Sequence, residues 1–497
     1  MSQNKSITLD YEHFLLWENY SEELLLEYRQ SVEEGLEISS LKELFEAISK
    51  LPVGEDKKRF ADLLFDMVKR ADMQEDYEYI EPSDWEEICS CCQKWEKEFP
   101  NTEKLNLREH IKGAWYGRIV GCLLGKPVEG FHTEYLIPML KNSENYPIHR
   151  YILSSEVPSE LVKKYPYPLS QKSFIDQIDA APCDDDTNYT VLYQQLVEQY
   201  GRNFTPADVA RIWLDLQPKK AYCSAERVAY RNFVAGYFPP KSAVYQNPYR
   251  EWIGAQIRAD YFGYINPGRP ILAAEMAWRD ASISHTKNGI YGELFVAAMV
   301  SAAAVCDDIL EIIQIGLSVV PQKSRLYENI SKIIEFWKNG MSKEDCFSEI
   351  HIQWDEHNPH DWCHTISNAQ IVTAALLYGE NDFSRSICMA VDCGFDTDCN
   401  AATVGSILGM KNGYSSIDES WISPVNGQLK TAIFGMEQQA NLLYSLKPSI
   451  EKCSAKTYIF VGEKENNIMK KSAQIIRRNI KKSNCKFFLK CITESFQ

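Results

Sequence analysis

The stretch His110-Ile-Lys-Gly113-Ala-Trp-Tyr-Gly117-Arg-Ile-Val-Gly121-Cys-Leu-Leu-Gly125-Lys-Pro-Val-Glu129 carries a glycine at every fourth position of an apolar, helical pattern. Each glycine costs a helix about 1 kcal/mol relative to alanine, so four on one stripe need a compensating gain. Close approach of a second helix supplies it, because a residue without a Cβ lets two backbones touch. The same spacing marks membrane helix pairs, but Lys112, Arg118 and Lys126 on this segment oppose that reading.

A second small-residue stripe, Ala401, Gly405 and Gly409, lies in Cys393-Gly-Phe-Asp396-Thr-Asp398-Cys-Asn-Ala401-Ala-Thr-Val-Gly405-Ser-Ile-Leu-Gly409. Two acids stand directly before it, and uncompensated acids are expensive in a packed core. Far upstream, Asp184, Asp185 and Asp186 open another apolar helical segment. A helix start needs only one cap, so the surplus charge asks for a cation. Taken alone, the upstream cluster also reads as capping plus solvated acid. With the two helices side by side, Asp184, Asp185, Asp186, Asp396 and Asp398 would face two divalent ions almost in charge balance, and oxygen-only ligation suits Mg²⁺, Mn²⁺ or Ca²⁺.

Other patterns compete for these residues. Asp396-x-Asp398-x-Asn400 begins like an EF-hand loop, but Ala401 and Ile407 stand where glycine and glutamate are required. Phe395-Asp-Thr-Asp398 resembles the Asp-x-Asp loop of haloacid-dehalogenase-type phosphohydrolases, which follows a buried strand. His357, His360, Cys363 and His364 are spaced closely enough for zinc, without a matching partner cluster.

Over the whole chain of 497 residues, 45% hydrophobic and 25% charged residues describe a substantial globular protein. The net charge of -16 opposes broad binding to nucleic acid or acidic membranes. No window is apolar enough to span a bilayer, no secretory signal opens the sequence, and the 15 cysteines are odd in number and scattered. A reducing cytoplasm is the expected location.

Residues 1–100 form an acidic, helical N-terminal region, with a composition change at Pro100-Asn-Thr-Glu103. Residues 101–450 are the expected catalytic domain, helical around 271–276, 292–305, 330–337, 369–378 and 401–408. Residues 451–497 are a tail that turns basic after 463, with Thr457–Val461 the clearest strand pattern and an amphipathic helix beyond it. The fold class expected from periodicity is all-α.

In three motifs, in order along residues 108–440, the sequence resembles the ADP-ribosylglycohydrolase family: Gly121-Cys-Leu-Leu-Gly-Lys-Pro-Val-Glu129, Asp184-Asp-Asp-Thr187 and Asp396-Thr-Asp398-Cys-Asn-Ala-Ala. The resemblance implies a compact orthogonal all-α bundle, to which residues 1–100 add a helical appendage. It further implies a binuclear Mg²⁺ (or Mn²⁺) site built from Asp184, Asp185, Asp186, Asp396 and Asp398, with Asp398 as the bridge. The implied substrate is an ADP-ribosylated protein or an ADP-ribose-containing small molecule. Glu129 and Asp185 are the implied catalytic acids, while His285, Gly289 and Asn368 are the implied substrate-binding residues. The stretch Ile253–Gly268 resembles a less-characterised subgroup and is expected to form a substrate loop. Cys122, Asp184 and Cys399 depart from the usual Asp, Thr and Ser or Thr. Two alternatives stay open: a nucleotide-binding protein that has lost turnover, favoured by Cys122 and Cys399, and a phosphohydrolase using Asp396 as nucleophile.

Overall fold

Asn106 starts the glycine helix, its side chain accepting from Glu109 N at 3.4 Å, and the helix runs Leu107–Gly125. Its partner is the helix Thr397–Asn412, running antiparallel to it: Gly113 meets Gly409, Gly117 meets Gly405, Gly121 meets Ala401 and Gly125 meets Thr397. A Cβ on any of these four glycines would overlap backbone atoms of the facing chain. The stripe is thus a backbone-on-backbone contact over almost the full length of both helices. Thr397 Oγ1 closes its end by donating to the Gly125 carbonyl at 3.0 Å. Beyond Gly125 the chain tightens into the 3₁₀ turn Lys126–Val128, with Pro127 ending the helical hydrogen-bond run.

The computed structural model describes residues 16–93, 95, 105–164, 174–436 and 438–440. Within them lie 22 α-helices and one two-stranded antiparallel ribbon, Gln428–Lys430 with Gln438–Ala440. The all-α expectation is met, and each helical segment read from periodicity matches an observed helix, Pro270–Ala281, Lys287–Ala303, Arg325–Lys338, Thr365–Tyr378 and Thr397–Asn412, with only the 292–305 reading running two residues past its helix end. Lys287–Ala303 is buried on every side from Asn288 onward, as a helix apolar all round must be. The Pro100–Glu103 boundary, the 457–461 strand and the basic tail lie outside the described residues. No helix among those described is long and apolar enough to cross a membrane.

In the N-terminal region, Leu24–Glu33, Lys42–Ser49 and Glu55–Val68 share a small core of Leu24, Ile38, Phe45, Ala61 and Leu64. Its acidity serves docking. Arg250 binds Glu27 at 2.9 Å and Glu34 at 2.7 Å, Gln30 donates to Glu251 at 2.7 Å, and Arg325 binds both Glu81 and Glu251 at 2.8 Å. These groups are buried or nearly so, where a charge persists only with a partner. The described residues accordingly belong to one compact unit.

Two tests follow from this packing. Gly117→Ala and Gly121→Ala place a methyl against a facing backbone that cannot rotate away, and each is expected to cost on the order of 3 kcal/mol, read as a lowered melting temperature. Unchanged melting would show that the helices can separate freely. The second concerns Asp392, whose carboxyl accepts from Ile148 N at 3.2 and 3.3 Å and which burial pushes up to about 7 from 3.8. The folded state then holds more protons than the unfolded state between these values, so stability falls as pH rises through that window. Asp392→Asn should stabilise the protein at pH 8 by on the order of 2 kcal/mol, with the gain fading toward pH 4 in thermal melts.

Candidate metal centre

Asp184 is the N-cap of the helix Asp185–Tyr200, its Oδ1 accepting from Asp186 N at 2.9 Å. The next acid to be placed is Asp186, by a cation from the glycine helix. Fully buried Arg118 donates from Nη2 to Asp186 Oδ1 at 2.8 Å and to the Ile257 carbonyl at 2.7 Å, while its Nη1 pairs with Asp260 at 2.8 Å. The helix that touches Thr397–Asn412 through its glycines thus holds the upstream acids through Arg118. Asp185 is half-buried and the most open of the three.

The downstream acids leave a strained turn. Gly394 and Phe395 both adopt left-handed backbone, at φ 78° and 56°, the latter unusual for a bulky side chain. Asn368 supports the turn: its Oδ1 accepts from Asp396 N at 3.3 Å and from Asn400 Nδ2 at 2.8 Å, and its Nδ2 donates to the Trp362 and His364 carbonyls. The Asn368 amide is therefore engaged in holding the Asp396 loop. Thr397 Oγ1 on Gly125 then sets Asp398 beside the Lys126–Glu129 turn.

The result is a buried gathering of acids: Glu129, Asp184, Asp186, Asp396 and Asp398 are each at most 8% exposed. One atom from each of Cys122, Asp184, Asp186 and Asp398 lies within 4.8 Å of the others, as does one from each of Asp396, Asp398 and Cys399. Asp398 belongs to both groups. Lys126 Nζ pairs with Asp184 Oδ2 and stands 3.8 Å from Glu129 Oε2 and 3.9 Å from Asp398 Oδ2. Burial, then the charge of Asp184, pushes Asp185 up to about 8. Burial and neighbouring carboxylates likewise raise Asp186, Asp396 and Asp398, with Arg118 opposing at Asp186 and Lys126 at Asp398. Burial would raise Asp184 too, but Lys126 outweighs it and holds that carboxyl below the ordinary range. Asp186 Oδ2 and Asp398 Oδ1 are buried without a hydrogen-bond partner. Converging carboxylates with such oxygens fit a hard divalent cation.

The remaining candidates are not among the clustered acids. His285 is buried with Nδ1 2.8 Å from Ser284 Oγ and lines a pocket of about 390 Å³ with Trp278, Ile290, Pro239 and Pro240; none of the five aspartates lines that pocket. Gly289 lets the Lys287–Ala303 helix start pass close to the Arg250 carbonyl, which a Cβ would strike. Ile253–Pro267 is buried throughout, with Arg258 bound to Asp280 at 2.6 Å and Glu226 at 2.9 Å, so this stretch is internal framework and not an exposed loop.

Two competing readings end here. Ser386–Asp392 belongs to a helix, Phe383–Asp392, so no strand feeds an Asp-x-Asp loop. For zinc, His360 Nδ1 accepts from the Trp252 indole at 3.0 Å and His364 Nδ1 accepts from Ile366 N at 3.1 Å. Each Nε2 therefore carries the proton, and both face Glu33, at 2.9 and 4.0 Å, without a lone pair for a metal. The segment docks the N-terminal region.

The ADP-ribosylglycohydrolase family profile matches residues 103–449. The chain belongs to that family. An uncharacterized protein of Archaeoglobus fulgidus is 24% identical over 354 residues, covering 70% of this chain and 99% of its own. A chain of the solved ADP-ribosylglycohydrolase-related protein complex overlaps 64% of this chain and 93% of its own length, at 17% identity and a TM-score of 0.42. ADP-ribosylglycohydrolases are generally metal-dependent, and the family motifs are the segments that deliver the acids. Reading the sequence missed Arg118 and Lys126 as members of this centre; the signal for them was two cations on an otherwise apolar glycine helix and its terminal turn.

Mg²⁺ or Mn²⁺ at 100 times its Kd is expected to stabilise the protein by about 2.7 kcal/mol, read as a raised melting temperature that chelation reverses. Asp398→Asn should abolish the shift; an equal shift in that variant would place the ion elsewhere.

Proposed function

We propose that this ADP-ribosylglycohydrolase is a divalent-metal-dependent hydrolase that cleaves the glycosidic bond at the anomeric carbon of ADP-ribose in an ADP-ribosylated protein or small molecule. The observation that carries it is the meeting of two remote aspartate clusters, with unpartnered buried oxygens on Asp186 and Asp398, beside Glu129. Asp186, Asp396 and Asp398 would hold the cation. When bound, it supplies Lewis-acid polarisation and a template for a ribose diol and a water.

The chain's own groups supply the rest. Glu129, at the end of the Lys126–Val128 turn and only 8% exposed, orients the water and takes its proton. Asp185 is the more open acid and serves as the second carboxylate that glycosidic hydrolysis uses on the leaving-group side. Asn368 keeps Asp396 in place through the main chain. Small-residue packing shields the centre from bulk water, which strengthens each charge interaction inside it.

A binding protein without turnover is the second reading, favoured by the Cys122 and Cys399 thiols among the carboxylate donors. One assay separates the two: Mg²⁺- or Mn²⁺-dependent release of free ADP-ribose from ADP-ribosylated arginine, serine and small-molecule substrates. Release is expected, lost in Asp398→Asn, with Glu129→Gln lowering kcat about 10²- to 10⁴-fold. Metal-dependent ADP-ribose binding without release on the whole panel would favour the binding protein.

A further inference from the structure

Resting on the metal-dependent reading of this centre, we infer that the Lys126 ammonium is one of its two cations, so that the chain takes up a single divalent ion. An oxygen-by-oxygen account carries this. Asp184 has both carboxylate oxygens engaged: Oδ1 accepts from Asp186 N at 2.9 Å and Oδ2 is paired with Lys126 Nζ. The same ammonium stands 3.8 Å from Glu129 Oε2 and 3.9 Å from Asp398 Oδ2. The point on which Asp184, Glu129 and one oxygen of Asp398 converge therefore already holds a positive charge.

The ammonium has little freedom to leave. Lys126 follows the last residue of the glycine helix with helical backbone, Pro127 fixes the next residue, and the lysine is 8% exposed, so its stem is packed in protein. A divalent ion bound to Asp184 Oδ2 would have to displace a buried charge into its surroundings, against repulsion that is strong at short range in a medium of low dielectric.

What remains suits one ion. Asp398 divides its carboxylate, Oδ2 toward Lys126 and Oδ1 without a partner. Asp186 divides likewise, Oδ1 bound to Arg118 and Oδ2 without a partner. Asp398 is gathered with Asp186 in one group and with Asp396 in the other, so the oxygens left unengaged centre on Asp398, where a single hard cation would bind. Asp184, expected from sequence to be a metal ligand, becomes the counter-ion of Lys126.

The test is the metal count of the full chain. After chelation and saturation with Mn²⁺, wild type should retain one Mn²⁺ per chain by equilibrium dialysis with elemental analysis, with the six-line magnetic resonance signal of an isolated ion. Lys126→Met should take up a second Mn²⁺ and show the spin coupling of a close pair, while Lys126→Arg, which keeps the charge, should stay at one. Any wild-type count other than one overturns the inference, as does a folded Lys126→Met that still binds one; the wild-type count decides the matter if that variant does not fold. ADP-ribose release by the same wild-type preparation separates the two readings. Turnover with two bound ions would overturn the single-ion inference and leave the hydrolase standing, and one bound ion without turnover would do the reverse.

Discussion

Two helix backbones touch along the line from Gly113 and Gly409 to Gly125 and Thr397, and the centre exists because they do. Side chains of ordinary size would hold the axes about 8–10 Å apart. Removing them brings the C-terminal end of one helix against the N-terminal end of the other, and those ends carry Lys126, Glu129, Asp396 and Asp398. The conformational cost of the glycines is offset by this contact, and the contact sets the spacing of the acids.

Charge balance is the second constraint. A chain with net charge -16 buries many of its acids, and each buried group needs a partner. Arg118 spans Asp186 and Asp260, Arg258 spans Glu226 and Asp280, Arg250 spans Glu27 and Glu34, and Arg325 spans Glu81 and Glu251. The last two arginines tie the N-terminal region to the body. Around Lys126 the carboxylates outnumber the cations among them, and there Asp186 Oδ2 and Asp398 Oδ1 are left without a hydrogen-bond partner.

Much of the fold was legible in the sequence because helical periodicity and glycine spacing are local properties. That the upstream and downstream aspartates would meet was legible too, since surplus acids at the start of a helix bound for the core need compensation before they can be buried. Asn368 was named as a substrate residue, yet its amide is occupied by the Asp396 main chain and the Asn400 side chain, a relation no spacing reveals. Ile253–Gly268 is expected from the resemblance to form a substrate loop; in three dimensions its arginine and aspartate face buried partners. His360 and His364 have zinc-like spacing, and only their hydrogen bonds to Trp252 and Ile366 show where the ring protons lie.

The sequence by itself determined that this is a helical protein with a tight helix pair and two aspartate clusters in need of compensating charge, because glycine stripes and adjacent like charges have local costs that demand a remedy. Tertiary structure alone decided which oxygen of each carboxylate is engaged, that Lys126 stands among Asp184, Glu129 and Asp398, and that the acidic N-terminal region docks on Arg250 and Arg325. Those outcomes depend on distances between residues far apart in the chain, and such distances are set when the helices pack.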